Sequence, residues 1–182
     1  MNDEENAKII EKKDAEAYKA AGIAYFPVAA MFVVYLVFLI IFMVQMGKVS
    51  TDGGDYGEYF IVYLIVFFLK RFYMFGAIVF AIVCALLAAL FVWSGITLIK
   101  DSKNLDKLRG IKKALDVHVL ALIILILSAI PFILGICRTI VRPAEEWQGF
   151  LMYGLMPFAV SLVCVVFGCI ASHRFKKSNF IL

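Results

Sequence analysis

FYMFGAIVFAIVCALLAALFVWSGITLI, residues 72–99, runs for twenty-eight positions without a charged side chain. At about 1.5 Å of rise per residue it exceeds the roughly 30 Å hydrocarbon layer of a bilayer. Within it Ala77, Ala81, Ala85 and Ala89 recur at steps of four, flanked by Gly76 and Ala88. Residues i and i+4 share a helix face, so the four methyls predict a smooth packing stripe. Lipid removes the hydrophobic drive between membrane helices, and close approach over small side chains takes its place. Leu, Val, Ile and Phe fill most of the other faces.

Working outward, three more apolar runs have spanning length. Residues 24–46 form the first, with Pro27 expected in its first turn, where a missing N–H costs little. The third span covers 115–137, with Ser128 three residues before Pro131, whose freed carbonyl is expected to find a hydroxyl or water. The fourth covers 149–171, contains Pro157, and carries Cys164 and Gly168 on a second small-residue stripe that continues to Ser172. Composition agrees: 64% hydrophobic and 18% charged, with mean hydropathy +0.94, where soluble domains have about 45–50% and about 25%. The expectation is an all-α integral membrane protein with four transmembrane helices arranged as two hairpins. Residues 1–23 precede this domain as a polar segment expected to form a short helix at the membrane surface or in solvent. Residues 172–182 follow it as a tail. No short apolar core with a small-residue cleavage site comes before the first span, which is therefore expected to remain as an anchor.

Residues 59–69, YFIVYLIVFFL, are apolar but reach only about 16 Å as a helix, too short to cross. Lys70 and Arg71 close them. This predicts either a re-entrant or interfacial segment before the second span, or the oblique start of that span with both cations snorkelling to headgroups. Charge counting argues against a fifth crossing. Cytoplasmic loops collect Lys and Arg, and thirteen of the eighteen lie in 1–23, 100–113 and 172–182, against five in 47–71 and 138–148. Both termini are therefore expected in the cytoplasm, and the membrane is expected to be the plasma (inner) membrane. An extra crossing would erase most of that bias. Lys100, Lys103, Lys107, Arg109, Lys112 and Lys113 make 100–113 the most basic stretch, expected to fix topology or to meet anionic headgroups.

The functional reading comes from which chemistry is missing. Proton relays and ion pathways keep ionisable residues inside the membrane, and the cores of the four spans carry no Asp, Glu, Lys or Arg. There is no HExxH, no phosphate-binding glycine loop, and only two histidines, too few for a three-imidazole zinc site. His118 is expected to face headgroups or to be capped, and His173 to be solvated. Cys84, Cys137, Cys164 and Cys169 lack metal-site or disulfide spacing and read as small hydrophobes. Basic residues beside membrane segments do not make a nucleic-acid surface. No enzyme, cofactor or metal is expected. The expected partners are the bilayer and another membrane protein, or a second copy. The chain reads as a non-catalytic subunit or regulator of a membrane complex acting through helix packing. A small oligomeric permease or channel for a neutral or apolar solute is the alternative, resting on Pro131, Pro157 and hydroxyls at Ser94, Thr97, Ser128 and Ser161.

Overall fold

The computed structural model describes residues 3–48, 60–102, 108–141 and 150–179. The loops expected at 47–58 and 138–148 fall largely outside the described residues, as do Lys103, Lys107 and the last three residues of the tail. The described residues are almost wholly helical. In chain order they form α1 (Asp3–Lys48), α2 (Phe60–Asp101), α3 (Leu108–Asp116), α4 (His118–Val141), a π-helical turn (Phe150–Leu155) and α5 (Met156–Asn179). Four stretches are long and apolar enough to cross a membrane: Lys12–Gly47, Phe67–Asp101, Gly110–Cys137 and Met156–Lys177. That is the number expected.

Two local expectations are corrected and one alternative is decided. From Phe60 to Arg71 the chain is the first part of α2, the alternative in which this stretch begins the second helix and is not a separate re-entrant or interfacial segment. Leu69, Lys70 and Arg71 are good helix formers with no Gly or Pro among them. The two cations interrupt the hydropathy pattern but give the backbone no reason to turn. In the same way, residues 3–23 run straight on into the first span as one 46-residue helix. Pro27 therefore lies in the interior of α1, and the Ile23 carbonyl loses its i+4 donor, on a side where both residues are exposed.

The third span is two helices. α3 buries Ile111, Ala114 and Leu115 while Lys112, Lys113 and Asp116 stay exposed, so a short amphipathic helix leads into α4 through a turn at Val117. Asp116 is thus an acid within the third candidate span, at its polar edge. Farther on, Ser128 Oγ donates to the Leu125 carbonyl at 3.0 Å, not to Leu127, which Pro131 deprives of its donor. In the fourth span the π-turn ends immediately before α5, whose second residue is Pro157. Because the π-turn runs directly into this helix, Pro157 removes a donor from the carbonyls of the turn before it, and the widened turn lies where that bond is lost.

The buried positions follow a rule that the alanine ladder only approximates. On α2, Ala77, Cys84, Ala88, Phe91, Gly95 and Leu98 are buried and Ala81 is half-buried, and Ser102, in the turn just after the helix, is buried too. Their spacing alternates four and three, the 3.5-residue repeat of supercoiled helices. α1 repeats it with Asp14, Tyr18, Ala21, Tyr25, Val28 and Phe32, and α5 with Pro157, Ser161, Cys164, Gly168 and Ala171. A small or flat residue at most of these places lets helix backbones come close.

The chain divides into two compact units. One comprises Met1–Ala30 and Ala89–Leu182, the other Met31–Ala88. In the first, Phe132 of α4 stacks on Phe158 of α5 with ring centroids 4.4 Å apart. In the second, Met31, Phe32, Ala77, Cys84 and Ala88 supply the buried positions.

Candidate functional site

The first unit contains the most closely fitted group of polar and small residues. At its centre Gly22 of α1 meets Gly95 of α2. A methyl placed on Gly22 would stand 2.8 Å from the Gly95 carbonyl oxygen, and one on Gly95 would stand 2.9 Å from that of Gly22. Neither distance admits a real Cβ, so the backbones themselves touch.

One turn along α1, Tyr25 is fully buried and packs edge-on against Phe91 with ring centroids 5.7 Å apart. Its hydroxyl lies 3.4 Å from the carbonyl oxygens of both Ala114 and Leu115, and the backbone N–H of His118 faces the same oxygen. These are groups that the turn at Val117 frees from the helical ladder, so a side chain from α1 satisfies the joint between α3 and α4. His118 Nδ1 also bonds the Leu115 carbonyl. On its other side the ring root is held by Gly168, where a Cβ would come 2.5 Å from that of His118. The Cys164 thiol, one turn before Gly168, is buried.

Two further contacts tie α1 to α5. Asp14 is buried and pairs with Arg174 at 3.5 Å, and Tyr18 meets Phe175 edge-on at 6.3 Å. Gly110 of α3 sits against Asp101, whose carboxylate oxygen a Cβ there would approach to 3.1 Å. Ser94 and Ser161 have buried hydroxyls with no hydrogen-bond partner among the described residues. Thr97 Oγ1 donates to the Trp93 carbonyl at 2.8 Å.

Of the residues singled out for packing, Cys164 and Gly168 belong to this cluster. Ala77 is buried and Ala81 half-buried, whereas Ala85 and Ala89 are exposed. Lys100, Lys112 and Lys113 are exposed, and Arg109 lies in α3. Among the described residues no three His, Cys, Asp or Glu side chains gather as metal ligands would. Gly22, Gly95, Tyr25, Asp14 and Arg174 were not singled out from sequence. Gly22 and Tyr25 become visible once α1 is read at alternating steps of three and four, because they then sit beside or on its buried stripe.

No family model, curated protein or solved structure matches the chain.

The chemistry of the cluster is therefore read from its own groups. Tyr25 and His118 both spend hydrogen bonds on backbone atoms, and Gly168 presses on the imidazole. Such an arrangement holds three helices in register at the interrupted third span.

Proposed function

We propose that this chain is a non-catalytic multi-pass protein of the plasma (inner) membrane, with both termini in the cytoplasm. It serves as a subunit or regulator of a membrane complex, or of its own oligomer, through helix packing and without a cofactor. The observation that carries this reading is the exposure of Ala85 and Ala89. They present a small-residue surface on α2 that the described residues leave exposed, and such surfaces let a second helix approach closely in lipid. The basic stretch from Lys100 to Lys113 supports the orientation. Photo-crosslinking from α2 in native membranes tests the proposal. Ala85→Leu with Ala89→Leu is expected to lower the yield of the crosslinked species several-fold while the protein still elutes as a single folded peak. Unchanged crosslinking removes this surface from the argument.

A second reading is favoured by the buried, unpartnered hydroxyls of Ser94 and Ser161, which suit a path for a small neutral solute. Purified protein in liposomes distinguishes the two. Solute flux above that of empty vesicles supports a permease, and tight vesicles across a solute panel count against it.

A further inference from the structure

The unit Met31–Ala88 holds a cleft of about 220 Å³ between the end of α1 and the early turns of α2, lined by Gly47, Phe67, Lys70, Arg71 and Met74. The four α2 residues stand at i, i+3, i+4 and i+7, which is one helix face. Gly47 contributes the opposite wall. The Arg71 guanidinium carbon lies 5.4 Å from the centroid of the Phe67 ring, a cation–π contact that holds the charge at the cleft wall.

We infer that this cleft binds the phosphodiester headgroup of an anionic phospholipid. Three observations converge on that occupant. The first is charge: the cleft places Lys70 and Arg71 side by side, and no acid is among its described lining residues. Arg matches phosphate oxygens in planar, forked geometry, and Lys adds a point charge. A choline headgroup would bring its own cation against both. The second is depth. Lys70 and Arg71 close one end of the uncharged stretch 72–99, and Lys48 closes the uncharged run of α1, which puts these cations where hydrocarbon gives way to headgroups. The third is size and surroundings. Pockets for drug-sized ligands run from about 300 Å³ upward, so this cleft suits a headgroup alone. Phe75 and Ile78 continue the Arg71 face and are 68% and 47% exposed, leaving apolar surface for acyl chains.

The test is native mass spectrometry of the full-length protein in mild detergent. Phosphatidylglycerol and phosphatidylcholine with identical acyl chains compete in equal amounts. Phosphatidylglycerol is expected to be retained in at least tenfold preference. Lys70→Gln with Arg71→Gln is expected to cut that preference by roughly fivefold per cation removed. Gly47→Leu leaves the charge unchanged, and a Cβ at that position meets nothing within 4 Å, so the variant should fold normally and narrow the cleft. It is expected to lower retention as well. Lys112→Gln with Lys113→Gln, in α3, is expected to leave the preference intact. The inference is overturned if the Lys70/Arg71 variant retains the preference, if Gly47→Leu has no effect, or if millimolar inorganic phosphate displaces the lipid. The last result would assign the cleft to a soluble phosphate.

Discussion

Tyr25 illustrates how one side chain governs a joint between helices. The turn at Val117 releases carbonyls that lipid cannot satisfy, and unsatisfied backbone groups in that setting are costly. The Tyr25 hydroxyl reaches Ala114 and Leu115 from another helix. Tyr25→Phe keeps the ring against Phe91 and removes only the hydroxyl. It is expected to lower stability by about 1 kcal/mol, measured by SDS-titrated unfolding in micelles. Gly168→Ala asks for space that His118 already occupies, and the same assay is expected to show a larger loss of about 1–3 kcal/mol. The Asp14–Arg174 pair is a different case: Arg174 is 40% exposed, so its Coulomb gain is screened and worth about 0–1 kcal/mol. In the sequence Tyr25 was one more aromatic in an uncharged run. Its value depends on a break ninety residues away, which no local pattern reports.

The helices show why a ladder counted in fours does not follow one buried face: Ala77 and Ala81 turn inward while Ala85 and Ala89 are exposed. Each step of four advances a 3.6-residue helix by more than one turn, so a strict ladder drifts about 40° per step. Ala77 and Ala81 begin near the buried stripe, and Ala85 and Ala89 have rotated out of it, while Cys84 and Ala88 occupy the inner positions. Adjacent alanines therefore carry opposite expectations. Ala88→Leu forces an isobutyl side chain in place of a methyl into a packed seam and is expected to cost about 1–3 kcal/mol. Ala89→Leu is expected to stay within about 0.5 kcal/mol in the same unfolding assay. Hydropathy located these helices well, because long uncharged runs have few other fates. It misjudged their ends, because Lys70, Arg71 and the polar residues before Ala20 change the solvent preference of a helix without breaking it.

At the scale of the whole chain, charge asymmetry and helix count make one testable statement about topology. In the proposed four-span arrangement thirteen Lys and Arg residues stand on one side and five on the other, and the positive-inside tendency is the ground for proposing that both ends are cytoplasmic. An epitope tag at either terminus is expected to survive protease added to intact cells. A tag inserted between Gly53 and Gly54 is expected to be cleaved. Protection of the inserted tag, or loss of a terminal one, reverses the orientation.

The sequence by itself determined that four stretches have the length and apolarity to cross a membrane. That conclusion needs only the sum of side-chain transfer energies along a run of residues. Tertiary structure alone decided which face of each helix turns inward, that Gly22 and Gly95 bring two backbones into contact, and that Tyr25 closes the gap at Val117. The physical reason is reach. Solvation is additive along the chain, whereas close packing and the satisfaction of stray carbonyls depend on atoms that meet only after distant segments have come together.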